Sequence, residues 1–162
     1  MRRRNLAAAV ALIVLAACGG GSEGGETARV EADGEDDLTA EQLEKGVGPI
    51  REVQLGPIDP ALVARGEESF RTKCFACHRL EERYVAPKLG DVLERHTPEY
   101  VMNMILNPAE MTEQHPAARE LLAEFMTQMP NQNLSEEEAR AILEYIRSEA
   151  EKAGTSGAVK NP

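Results

Sequence analysis

The sequence predicts an all-α domain of three to five helices, and three observations carry that prediction. The first is punctuation. Asp59-Pro60, Thr97-Pro98 and His115-Pro116 put proline where a helix begins, and Thr39-Ala40-Glu41-Gln42 and Ser135-Glu136-Glu137-Glu138 read as capping boxes. The second is periodicity, because apolar residues follow these starts at helical spacing. The third is Cys74-Phe75-Ala76-Cys77-His78, which gives the helices something to pack around.

Two thiols three residues apart, with an imidazole directly after them, are the pattern of covalent c-type haem attachment. Each thiol adds across one porphyrin vinyl group, so both sulfurs must lie along one edge of the ring. One turn of helix then brings the next residue's imidazole under the iron. A structural zinc site wants about four Cys/His ligands, and the only other cysteine, Cys18, is far away in the N-terminal segment. A thioredoxin-like pair would leave His78 without a role and would need a βαβ context. One covalent haem c is the reading that uses all three residues.

Composition agrees. Aromatic residues are only Phe70, Phe75, Phe125, Tyr84, Tyr100 and Tyr145, with no Trp, so a porphyrin would supply apolar bulk to a thin core. The 162 residues carry a formal charge of −10, and 162 residues make one domain with a tail the default. If residues 1–17 are removed, Arg2, Arg3 and Arg4 go with no acid, leaving 15 basic against 28 acidic residues, or −13. Nucleic acid needs a basic footprint and is excluded as a partner.

In chain order, residues 1–17 read as an export signal, with Arg2, Arg3 and Arg4 before a 12-residue apolar run, Leu6 to Ala17. That run is shorter than the roughly 20 residues of a membrane span. It ends in Leu15-Ala16-Ala17-Cys18, which resembles the lipobox of bacterial lipoproteins. The resemblance implies cleavage before Cys18, lipid on Cys18, and a domain held at a membrane of the bacterial cell envelope, facing the periplasm or the cell exterior. An ordinary secretory signal with an incidental cysteine is the alternative. The arginines hint weakly at a twin-arginine signal, but haem c is attached to an unfolded exported chain, which favours the general route. Residues 18–37, rich in Gly, Glu and Asp, read as a flexible acidic tether. Residues 38–58 read as one short helix followed by a proline-broken segment that wraps the domain.

The domain itself spans 59–153, with a frayed tail at 154–162. Asp59-Pro60 starts a helix carrying Leu62, Val63, Gly66 and Phe70. Glycine in a helix interior costs ~1 kcal/mol, which a close helix–helix contact would offset. Glycine eight residues and an aromatic four residues before the first motif cysteine resemble class I cytochromes c, and the resemblance covers roughly 59–152. It implies the cytochrome c fold, in which the first helix crosses the last. Ile142 and Tyr145 fit the positions that meet Gly66 and Phe70. Ala86-Pro87-Lys88-Leu89-Gly90 resembles the family's loop on the His side, which implies that the Pro87 carbonyl accepts the other N–H of His78. Thr97-Pro98 starts a helix with Tyr100, Val101, Met104 and Ile105 on one face, ended by Asn107-Pro108. The helix after His115-Pro116 carries Ala118, Leu121, Leu122 and Phe125. The last, from about Glu136 to Lys152, carries Ala139, Ile142, Leu143, Ile146 and Ala150.

From the residues alone, Met111, Met126, Met129, His96 and His115 all remain candidates for the sixth iron ligand. Class I cytochromes c present the axial methionine on a loop before the last helix, often as Met-Pro. By that resemblance the ligand is Met129, followed by Pro130, with Met126 as runner-up. His78 and Met129 together would fill both axial positions, which favours one-electron transfer over catalysis, and thioether sulfur would favour Fe(II). The expected protein is therefore an electron carrier rather than an enzyme, shuttling between respiratory redox partners that offer a basic docking patch. A peroxidase-like enzyme or gas sensor with a displaceable sixth ligand is the competing class. A dedicated donor to one terminal reductase, such as nitrous-oxide reductase, is a narrower version of the carrier.

Overall fold

Helices begin where capping side chains satisfy the first free N–H groups. The computed structural model describes residues 38–154. The leader 1–17, Cys18, the tether 18–37 and nearly all of the 154–162 tail lie outside the described residues. Five helices stand where the sequence places them: α1 (Ala40–Lys45), α2 (Pro60–Ser69), α4 (Pro98–Leu106), α6 (Pro116–Phe125) and α7 (Glu136–Lys152). Both capping boxes form, with Thr39 and Gln42 reciprocally bonded and Ser135 and Glu138 likewise. Asp59 accepts from the Ala61 N–H at 2.8 Å and Thr97 from the Tyr100 N–H at 3.2 Å.

Two short helices were not expected, α3 (Val92–Arg95) and α5 (Pro108–Gln114), making seven α-helices and no strand among the described residues. The α5 case has a simple cause. Asn107 closes α4 through its N–H to the Asn103 carbonyl, and Pro108 then restarts a helix as its first residue rather than merely stopping the previous one. His115 occupies the N-cap position of α6 without capping it; its Nε2 instead meets the Leu43 carbonyl at 3.0 Å.

The crossing of α2 and α7 is the most extensive helix contact in the described chain. Gly66 is buried there, and a Cβ at that position would lie 1.9 Å from the Ala141 carbonyl oxygen and 2.9 Å from Tyr145 Cβ. The next turn of α2 adds Phe70, whose ring lies 5.3 Å from that of Tyr145. Ile142, Leu143 and Ile146 of α7 and Val101 and Ile105 of α4 complete the core beside them.

The wrapping segment is fastened by side chains rather than by secondary structure. Asn103 on α4 is fully buried and makes three bonds to it: Nδ2 donates to the Lys45 and Ile50 carbonyls and Oδ1 accepts from the Ile50 N–H, all at 2.9 Å. Glu99 accepts from the Val53 N–H at 2.8 Å, and Thr97 donates to the Glu44 carbonyl at 3.1 Å. Farther along, Arg140 and Arg147 donate to the carbonyls of Gln54 and Gly56. Both also pair with the fully buried Glu144, at 3.1 and 2.8 Å, and Glu144 accepts from the Asp59 N–H. At about 1 kcal/mol net per bond, Asn103→Ala should cost about 2–3 kcal/mol, read as a lower denaturant midpoint together with faster proteolysis within 46–58. A midpoint equal to the parent's would mean that the strap is not held by Asn103.

Candidate functional site

The attachment motif sits where α2 changes pitch. Over Phe70–Cys74 the helix widens to a π turn, in which the Phe75 N–H reaches the Phe70 carbonyl at 2.9 Å. Such widened turns often mark functional sites, and nothing in the sequence signals this one. The Cys77 and His78 N–H groups then both converge on the Cys74 carbonyl, at 3.0 and 2.9 Å. This tight turn keeps the two cysteines and the histidine on one short piece of backbone.

A second piece of backbone orients His78. Residues 86–90 lie along 77–80, with Ala86, Leu89 and Gly90 N–H groups donating to the carbonyls of Cys77, Arg79 and Leu80. Gly90 permits that approach, since a Cβ there would lie 2.5 Å from the Leu80 carbonyl oxygen. Pro87 is thereby held so that its carbonyl meets His78 Nδ1 at 2.9 Å. With Nδ1 donating, Nε2 keeps its lone pair for a metal. Burial lowers the His78 pKa, opposed in part by the Pro87 carbonyl, so the ring is a neutral base. Burial, with the neighbouring Cys77, pushes the Cys74 thiol up to about 11. Cys74 and Cys77 are free thiols and do not pair with each other.

These residues line a cleft of two adjoining lobes, with cavity volumes of about 110 and 80 Å³. Cys74, His78, Pro87, Met104, Leu121 and Met129 line both lobes. Only the first reaches Cys77, together with Leu122 and Phe125 of α6. Only the second reaches Val101, Ile105, Ile142 and Ile146, together with Lys88, Arg95, His96 and Tyr100.

The sulfur candidates separate clearly. Met129 lies on the non-helical segment between α6 and α7, tied down where Gln128 bonds Thr112 and Asn131 bonds the Leu106 carbonyl. Met126 ends α6 in a left-handed conformation, φ 52°, is 84% exposed and lines neither lobe. Met111 is wholly buried outside the cleft, its sulfur accepting from the Val47 N–H at 3.0 Å. Met104 joins Met129 in lining both lobes. In the sequence Met104 is only part of the apolar face of α4, because no spacing sets a cleft methionine apart from a core one. His115 stands away from both lobes, whereas His96 lines the second and stacks on Tyr100 at 4.0 Å.

The cleft fits a covalent haem on its own terms. It has two free thiols on one turn, an imidazole with one nitrogen already committed, and mostly apolar walls.

Comparison with known proteins agrees with that fit. Residues 63–150 match the family described as "Cytochrome c". Among solved structures, cytochrome c from Rhodothermus marinus is 50% identical, covering 69% of this chain and 97% of its own, with a TM-score of 0.67. The chain belongs to the cytochrome c family. It is a class I cytochrome c, whose family carries covalently bound haem c and works by haem-based electron transfer. Two structures of one engineered form of the Rhodothermus marinus cytochrome c, Rma TDE, are 49% identical, each covering 68% of this chain and 97% of its own, with TM-scores of 0.65 and 0.63. The second of these is described as bound to a carbene intermediate, 1-ethoxy-1-oxopropan-2-ylidene. No curated protein matches the chain.

Proposed function

We propose that this cytochrome c is a membrane-tethered one-electron carrier whose iron is held between His78 and Met129. The observation that carries the ligation is that both lobes of the cleft are lined by His78 and Met129, while Met126 and Met111 line neither and Met104, which also lines both, sits within α4 rather than on the segment before α7. Cys74 and Cys77 would hold the cofactor through thioether bonds, and Pro87 would fix the His78 ring through Nδ1. Bound haem supplies a one-electron Fe(III)/Fe(II) couple. The chain contributes the rest. His78 presents a neutral nitrogen, Met129 a soft sulfur, and the apolar residues of α4, α6 and α7 exclude water. An environment of this kind disfavours the additional charge of the ferric state and so favours reduction. Two protein-supplied axial ligands leave no position for a substrate, which argues for carriage rather than catalysis.

The first test is mass. The exported protein should carry one haem that survives denaturation, and replacement of Cys74 and Cys77 by alanine should abolish the added mass. An apo mass for the parent would overturn the reading.

Membrane attachment rests on Leu15-Ala16-Ala17-Cys18 and the acidic tether that follows. Cys18→Ala should release the protein from membranes into the soluble fraction; continued membrane association would count against a lipid anchor. The acidity of the chain supports redox partners that present basic surface, such as components of a respiratory chain. A second, catalytic reading draws on the engineered relative bound to a carbene intermediate. It requires Met129 to leave its position, so the sulfur-to-iron band of the ferric protein distinguishes the two.

A further inference from the structure

Arg79 directly follows His78, and its side chain turns back onto the attachment turn. Nη1 donates to the His78 carbonyl at 2.9 Å and also to the Phe75 carbonyl. The guanidinium carbon lies 3.8 Å from the centroid of the Phe75 ring and 4.2 Å from that of Tyr84. One side chain therefore grips the turn that carries Cys77 and His78 and also reaches into the next segment.

That next segment presents the Pro87 carbonyl to His78 Nδ1. The Tyr84 N–H donates to the Ala86 carbonyl at 3.2 Å, and the Ala86 N–H donates to the Cys77 carbonyl at 3.0 Å. Beyond Pro87, the Leu89 N–H donates to the carbonyl of Arg79 itself at 2.9 Å. Arg79 thus holds the Pro87 segment on both sides, by its side chain at Tyr84 and by its backbone at Leu89.

The residue types fit this task. Phe75 is 48% and Tyr84 54% exposed, so burial does little to fix either ring, whereas a cation over the ring face attracts it. A guanidinium donates in its plane while its faces stack on aromatic rings, so it can bind two carbonyls and two rings together. The ammonium of lysine is a compact point charge without a stacking face.

We propose that Arg79 is a positioning residue for the iron, acting with Tyr84 to set the hydrogen bond between His78 Nδ1 and the Pro87 carbonyl. The assignment rests on the reading that His78 binds haem iron and adds to it what holds that bond in place. A carbonyl that accepts from Nδ1–H makes the other ring nitrogen a stronger base. A stronger base favours ferric iron, so loosening the bond favours the ferrous state. Losing a positive charge at the same place does the reverse, because a nearby cation disfavours the additional charge of ferric iron. The sign of the shift therefore separates positioning from simple electrostatics.

The experiment uses the haem-loaded protein and three variants, Arg79→Lys, Tyr84→Ala and Tyr84→Phe. Lysine keeps the charge and removes the planar fork, and phenylalanine keeps the ring that alanine removes. Each is examined in the ferrous state by proton NMR, which reads solvent exchange of the His78 Nδ1–H, and by spectroelectrochemical titration. Arg79→Lys and Tyr84→Ala are expected to exchange about tenfold faster than the parent. Both should shift about threefold towards the ferrous form, or about 28 mV at 59 mV per tenfold for one electron. Tyr84→Phe should match the parent in both readouts. Parental exchange and potential in Arg79→Lys and Tyr84→Ala, or a shift towards the ferric form, would overturn the assignment. Equal effects of Tyr84→Phe and Tyr84→Ala would overturn the part given to the ring face. A parent lacking covalent haem would instead overturn the reading of the cleft on which the assignment rests.

Discussion

Met129→Ala is expected to abolish the weak far-red sulfur-to-iron band of the ferric protein and to lower the reduction potential by at least about 59 mV, a tenfold shift. Met126→Ala is expected to leave both unchanged. The contrast follows from position, because Met129 lines both lobes of the cleft beside His78 whereas Met126 is 84% exposed. Thioether ligation favours Fe(II), so its loss moves the couple towards Fe(III). Met104→Leu serves as the stringent control, since Met104 is the other methionine reaching both lobes. The band should survive it. If the band were lost in Met104→Leu or Met126→Ala and kept in Met129→Ala, the assignment of Met129 would be wrong.

Gly66→Ala should be the most damaging single-methyl change in the domain. The added Cβ would lie 1.9 Å from the Ala141 carbonyl oxygen and 2.5 Å from its carbon, which are backbone atoms of α7 and not the end of a movable side chain. Relief requires α2 and α7 to separate, which would open the Phe70–Tyr145 contact and loosen the core around Ile142 and Ile146. Overpacking of ordinary core side chains costs ~1–3 kcal/mol and occasionally more, so a backbone collision should exceed about 3 kcal/mol. For a domain of this size that lowers Tm by roughly 10 °C or more. Gly56→Ala is the matching control, because no atom lies within 4 Å of a Cβ there. Comparable loss at both sites would mean that helix approach is not what Gly66 provides.

How much of this was legible beforehand depends on how local the cause is. Both capping boxes and the bounds of α7 are local: each rests on residues within one or two turns, and the structure has them as read. The distinction between α4 and α5 was missed because Asn107-Pro108 is compatible with both an end and a restart. The close contact at Gly66 was anticipated from its position relative to Cys74, although the atoms it meets belong to Ala141 and Tyr145 rather than to Ile142.

The cleft itself was legible only in part. Cys74, Cys77 and His78 are contiguous and name their own chemistry, and Pro87 and Met129 followed from a family resemblance. Met104 and Tyr100 had no such marker. A methionine or tyrosine on an apolar helical face has the same spacing whether it meets another side chain or a cofactor. Residues 38–58 show the same limit: proline and glycine announced a broken segment, but not that Asn103 and Glu144 fasten it. The sequence by itself determined the cofactor and where helices begin, because those rest on a short contiguous motif and on short-range hydrogen bonds. Which methionines reach the cleft and what holds the strap were decided only by the tertiary structure. Those contacts join residues tens of positions apart, and no local pattern encodes them.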